Sequence, residues 1–215
     1  MAIAYGGVSG GAATPGTSLT FSHTTTGDER VLFVGVYIAS TSDLVSGVTY
    51  NGVGLTRVLA QQSSFDSHYQ YMYILVNPAS GANNVVVSAS SSVNIYATAA
   101  HYTGAKQTGQ PDNQGSHTST VASTTWSDTL TPVANNCWMV ASVRPDYGRS
   151  DTAAGSGTTM RLLQSNSIAW FDSNAAITPV AAKTLNYTAT ITRWTSIYAT
   201  LAPPVVYSGH RVTMI

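Results

Sequence analysis

The sequence predicts an all-β protein: a single antiparallel two-sheet β-sandwich, jelly-roll-like, of about twelve strands. Three observations point there. Helix formers are scarce, with one glutamate (Glu29) and two lysines (Lys106, Lys183) among 215 residues. Val, Thr, Tyr and Ile recur in short runs that alternate with period two, the pattern of pleated, half-buried segments. Clusters of Gly, Asn, Asp, Pro and Ser break these runs at short intervals, as turns between many short strands require.

The strands follow in order. Ser18 to His23 (SLTFSH) reads as the first, ending in the polar turn TTTGDER. Val31 to Ala39 (VLFVGVYIA) is apolar on both alternating faces and predicts a central strand. Gly47 to Tyr50 leads into Asn51-Gly52, the strongest short hairpin signal, and Leu55 to Ala60 returns from it. Tyr69 to Val76 is a second central strand, stopped by Asn77-Pro78. Asn84 to Ser90 follows the Ser80-Gly81 turn. In Val93 to Thr103 the residues Val93, Ile95, Ala97, Ala99 and His101 share a face. Cys137 to Val143 is a buried strand; Thr158 to Leu163 and Ile168 to Phe171 are shorter. In Leu185 to Ile191 the pattern points Leu185, Tyr187, Ala189 and Ile191 inward. In Thr195 to Leu201 it does the same for Ile197, Ala199 and Leu201. Gly104 to Thr118 and Arg144 to Gly157 read as surface loops. The expected division is an N-terminal arm at 1–17, one domain at 18–202 and a C-terminal arm at 203–215.

Composition narrows the function. Charged residues make up 8% and cancel to a formal net charge of zero, against roughly 25% charged in ordinary globular proteins. Such a chain has no electrostatic footprint for nucleic acid. No apolar run approaches a membrane span, and MAIAYGGVSGG lacks the basic and apolar regions of a secretory signal. A lone cysteine, Cys137, excludes an internal disulfide and reads as a small core residue. Serine and threonine number 55, so hydroxyls rather than charges cover the surface. Near-zero net charge favours association.

No motif for catalysis, phosphate binding or metal ligation occurs, and the nine carboxylates are scattered. The chain reads as a non-enzyme with no cofactor and no metal site. His101 reads as an inward core or rim histidine; His68 and His117 read as solvated. Tyr69, Tyr71 and Tyr73 share one strand face. They fit a core or subunit interface, or alternatively a platform on which a sugar ring stacks. Trp126, Trp170 and Trp194 admit the same two readings.

The run SLTFSHTTTGDERVLFVGVYIA, then GVTYNGVGLTRV, then YMYILVNPASGANNVVVSAS, followed by His101–Gly104 (HYTG) and a close near ATLAP, resembles a β-sandwich module. That module recurs in bacterial extracellular proteins and bacteriophage structural proteins. The resemblance spans Ser18 to Pro203 and attaches no catalytic residue to the pattern. With no export signal expected, it implies a virion protein on the particle exterior: a capsid decoration, a head fibre or a tail-associated adhesin. A carbohydrate-binding or adhesive extracellular module is the alternative. The expected partners are further copies of the chain, with a trimer favoured, other virion proteins and a host surface glycan; neither nucleic acid nor membrane is expected. In the C-terminal arm, Val205, Val206, Tyr207, Val212, Met214 and Ile215 are the apolar residues expected to bury against a neighbour.

Overall fold

The protein is described by a computed structural model over residues 1–146 and 148–204. No helix occurs among these residues, and every strand pair runs antiparallel. The C-terminal residues Val205, Val206, Tyr207, Val212, Met214 and Ile215 lie outside the described residues.

Fifteen strands among the described residues build three hydrogen-bonded sheets. The first sheet contains β1 (Ala4–Thr25), β2 (Val31–Ile38), β3 (Val45–Tyr50), β4 (Val53–Gly54), β5 (Thr56–Gln62), β6 (Tyr69–Val76) and β7 (Gly81–Thr103). Its order is β4-β3-β7-β2-β6-β5, with β1 on the other side of β7. The second has the order β12-β13-β10-β15-β8, from β8 (Asn113–Thr118), β10 (Trp138–Pro145), β12 (Thr159–Gln164), β13 (Ile168–Asp172) and β15 (Trp194–Leu201). The third is β11-β14-β9, from β9 (Ser123–Leu130), β11 (Ala153–Ala154) and β14 (Lys183–Thr192).

The turn residues explain how the strands connect. Asn51 and Gly52 both have positive φ, 51° and 76°, the backbone of the tight hairpin between β3 and β4. Asn77 ends β6 with φ 54°, a conformation that asparagine tolerates better than most residues.

β7 organises the first sheet. Its first half pairs with β3, its second half with β2, and both halves pair with β1. Register shifts in β1 between Ala13 and Ser18 mark where the ribbon turns, as bulges do. The sheet therefore rolls onto itself. Leu32, Val34, Val36 and Ile38 of β2 and Val93, Ile95, Ala97 and Ala99 of β7 share one core with Leu19 of β1, Tyr50 of β3, Tyr71 and Tyr73 of β6, and Val85 and Val87. Small residues on β1 allow the close approach: a Cβ on Gly11 would stand 3.0 Å from the Phe21 side chain.

The outer face of the roll covers the second sheet. Phe33, Met72, Ile74 and Tyr102 pack with Trp138, Val140, Trp170, Ile197 and Leu201. Gly35 lets β2 pass close to β10, since a Cβ there would be 2.3 Å from the Ser142 hydroxyl. The opposite face of the second sheet, with Met139, Ala141, Val143 and Phe171, packs on Leu185 and Tyr187 of the third. Each of these large side chains, fully buried, contributes roughly 1.5–3 kcal/mol. β2 and β10 are buried along their whole length; the apolar run of β2 predicts this, whereas β10 also buries Ser142 and Arg144.

Four expectations change. Residues 4–17 are not an arm: from Ala4 they pair with β7 of the same chain. Gly104 to Thr118 is only partly loop, because Asn113–Thr118 is β8, paired with β15. Arg144 is a buried residue of β10 rather than part of a surface loop. In β14, Leu185 and Tyr187 face inward as expected, but the register shifts between Thr188 and Thr192, and Ile191 turns out to 57% exposure.

Leu185→Asp should therefore cost about 3 kcal/mol or more, the penalty of an unpaired buried charge. Ile191→Asp should stay within about 0.5 kcal/mol of wild type. Urea denaturation of both variants checks this, and comparable losses would mean that β14 keeps its alternation to its end.

Candidate functional site

A groove of about 840 Å³ lies where the first and last described residues meet. Its lining includes Met1, Ile3, Ala134, Trp138, Ala176 and Pro204. The N-terminus is seated by Gly104, whose φ of +64° is left-handed and whose missing Cβ would fall 2.1 Å from the Ala2 carbonyl oxygen. No side chain fits there. The other end is held by Gln110: its amide nitrogen donates to the Ala202 carbonyl at 2.7 Å, and its amide oxygen accepts from the Ala202 N–H at 3.2 Å. The Asp112 carboxylate fixes the far wall by accepting the N–H groups of Val133 (2.6 Å) and Ala134 (3.3 Å). Met1 and Val133 are exposed, as is Val180, whose N–H is bound by Asn135. These three extend the groove's apolar character onto the surface.

Cys137 sits behind this wall. Its thiol lies 3.2 Å from the Ala134 carbonyl and 3.6 Å from Asp112. Burial, reinforced by the Asp112 charge, pushes the thiol up to about 12. It stays protonated and serves as a packed core group, as expected from sequence.

The charged groups inside the protein are structural ties. Asp172, fully buried, accepts Arg161 Nε at 2.7 Å and the Tyr102 hydroxyl at 2.8 Å on one oxygen. Its other oxygen accepts Arg161 Nη2 and the Asn174 N–H, each at 3.0 Å. Trp170 donates to the Tyr102 hydroxyl at 2.9 Å, and the Arg161 guanidinium lies 4.0 Å from the centre of the Tyr5 ring. This network links β1 and β7 to β12 and β13. The Asp66 carboxylate meets the His68 ring.

His68 is buried rather than solvated, between the Phe65 and Tyr37 rings. Burial lowers its affinity for a proton, and the adjacent Asp66 opposes that effect. His117 keeps a side chain that is 48% exposed. Its ring stands 4.2 Å from that of half-buried Trp126 and 3.7 Å from the buried Asp128 carboxylate. Trp170 and Trp194 are core residues.

The tyrosine stripe is not an open platform. Tyr71 and Tyr73 are buried in the core of the rolled sheet and only Tyr69 is partly exposed. Burial raises the Tyr71 hydroxyl beyond its usual range.

His101 faces inward as its register predicts. The sequence reading missed its partner: His23 Nε2 lies 3.1 Å from His101 Nδ1, and Ser9 Oγ lies 2.9 Å from His23 Nδ1. A signal was present, since His23 shares the alternation of Leu19 and Phe21. Burial, and the second ring, push His23 down to about 4; burial, and the Arg30 charge, do the same for His101.

Among the described residues no group of three or more His, Cys, Asp or Glu side chains is arranged to hold a metal ion. Compared with known protein families, curated proteins and solved structures, the chain matches none.

The Cys137 environment has a direct readout. Alkylation by iodoacetamide at pH 8.5 should be about a hundredfold slower in the folded protein than in urea, because only the thiolate reacts. Mass spectrometry of the intact chain follows the modification, and similar rates in both conditions would place the thiol at the surface.

Proposed function

We propose that the chain is a structural subunit on the exterior of a bacteriophage particle: a capsid decoration, a head-fibre protein or a tail-associated adhesin. It works by association rather than by catalysis, with copies of itself, a trimer being favoured, and with other virion proteins. The rolled sheet and the five-stranded sheet are read as the two layers of a jelly-roll-like sandwich, with the three-stranded sheet added outside. The sequence resemblance supplies the phage setting. The observation that carries the associative reading is the groove where the first and last described residues meet, with Met1, Val133 and Val180 exposed around it. An uncharged hydroxyl-rich surface adds little repulsion between subunits.

A carbohydrate-binding or adhesive extracellular module is the second reading. The adjacent, partly exposed rings of His117 and Trp126, tilted 43° to one another, favour it, because an aromatic face packs against a sugar face. A host surface glycan would be the ligand.

Native mass spectrometry of the full chain, of Val133→Asp and of a chain ending at Pro204 tests the first reading. The full chain should be oligomeric, and each change should shift it to monomer while leaving the melting temperature within about 3 °C. A monomeric full chain at micromolar concentration would overturn the proposal. Quenching of Trp126 fluorescence by a glycan array hit, lost in Trp126→Ala, would favour the second reading.

A further inference from the structure

The rolled sheet closes at its mouth through three side chains from three places in the chain. Ser9 comes from the first half of β1, His23 from its second half and His101 from the end of β7. They form an unbroken hydrogen-bonded chain that begins at a backbone group: the Thr26 N–H donates to His101 Nε2 at 3.3 Å.

That first link fixes every proton after it. An amide N–H only donates, so His101 Nε2 is the bare nitrogen and Nδ1 carries the proton. Nδ1 donates to His23 Nε2 at 3.1 Å. His23 Nε2 is then also bare, so His23 Nδ1 carries its proton and donates to Ser9 Oγ at 2.9 Å. All four ring nitrogens are satisfied only when both rings are neutral. One added proton sets two N–H groups against each other, either between the rings or at Thr26. The same assignment leaves His23 with no lone pair toward Ser9, so the three residues do not form a nucleophile with its base.

The surroundings do not compensate an added charge. Arg30, in the turn after β1, acts on His101 with the same sign. Tyr50 of β3 approaches His23 at a ring distance of 6.3 Å, and its hydroxyl lies within hydrogen-bond distance of the carbonyls of Gly81 (2.9 Å) and His23 (3.1 Å), either of which can accept its one proton. Ser9, Ser22, Thr24 and Thr26 are uncharged, and among the described residues no carboxylate acts on either ring. Protons still have access, because both rings line an open cleft of about 340 Å³. There is no room to adjust: a Cβ on Gly6 would fall 2.1 Å from His101 Nε2.

We propose that Ser9, His23 and His101 form an acid-operated latch that holds the two halves of β1 together and opens the rolled sheet when either ring takes a proton. Opening uncovers Leu19 and Phe21 and frees the backbone of residues 4–13 to pair elsewhere. The sign follows from linkage. Unfolded histidine binds protons near 6.5 and these two resist to about 4, so the closed state is fully stable above pH 6.5 and weakens as pH falls from 6.5 toward 4.

Hydrogen exchange with mass spectrometry on the full chain, corrected for intrinsic rates, tests the latch. Between pH 7.5 and 4.5, exchange in residues 4–13 and 18–25 should rise about tenfold or more, while residues 183–190 stay within about twofold. In the double variant His23→Gln, His101→Gln the rise in residues 4–25 should shrink to about twofold or less. A flat wild-type profile, or the same rise in the double variant, would overturn the proposal. If the variant fails to fold, the ring proton resonances of wild-type His23 and His101 decide. Titration near 6.5 without a change in exchange refutes the latch; titration below pH 5 together with the rise in exchange supports it.

Discussion

The pairing of β1 with β7 runs from Ala4 opposite Thr103 to Thr25 opposite Gly81. These two strands are far longer than the five or six residues of a usual strand, and a flat ribbon of that length would leave both faces in need of cover. Rolling supplies the cover. The first half of β1 presents Gly7, Ser9, Gly11 and Ala13 to the inside, and the second half presents Leu19, Phe21 and His23. Small residues oppose large ones, so the halves close to contact distance. β2, β3 and β6 then find a core already enclosed. The outer face of β2, β6 and the second half of β7 becomes the surface on which the second sheet lies.

With charges this scarce, the few inside the protein serve to align layers. A carboxylate that accepts four hydrogen bonds, as Asp172 does, costs less to bury than an unpaired one and leaves only one good position for its partners. Tyr102 brings β7 to that position, Arg161 brings β12, and the guanidinium covers Tyr5 of β1. Gln70 does similar work at the other end, donating to the Ser142 carbonyl at 2.7 Å and thereby tying β6 to β10. Apolar contact alone tolerates sliding between sheets; these directional bonds set the register of one sheet on the next.

Much of this was legible in the sequence, and the reasons for the exceptions are physical. The central strands β2, β6 and β10 declared themselves because they are largely buried and predominantly apolar, even though β6 carries Gln70 and β10 carries Arg144. The first half of β1, β8 and β9 did not. They carry glycine, serine and threonine, whose strand character comes from their neighbours rather than from periodicity. Ile191 was placed inside because alternation was extended through a bulge that composition does not mark. His68 was placed outside because a histidine in a polar turn gives no sign that Phe65 and Tyr37 will enclose it. His101 was placed correctly by register, yet its partner His23 lies 78 residues earlier, a separation over which a local pattern carries no information. The groove was invisible for the same reason: Ile3, Ala134 and Trp138 meet only after folding.

The length of β1 also dictates an order of events. β1, β2 and β3 all hydrogen-bond to β7, which is the last strand of its sheet to be synthesised. Until the residues from Gly81 onward exist, β1 has no partner at all, and only the β3–β4, β5–β6 and β2–β6 pairings can form early. Such non-local closure makes folding slow and leaves nascent strands open to wrong association. In that light the two opening strands differ in a telling way. VLFVGVYI of β2 has the composition of an aggregating segment and must be sheltered quickly. The glycine- and alanine-rich start of β1 offers almost nothing for another chain to grip. A strand that must wait longest for its partner is the one that is least adhesive while it waits.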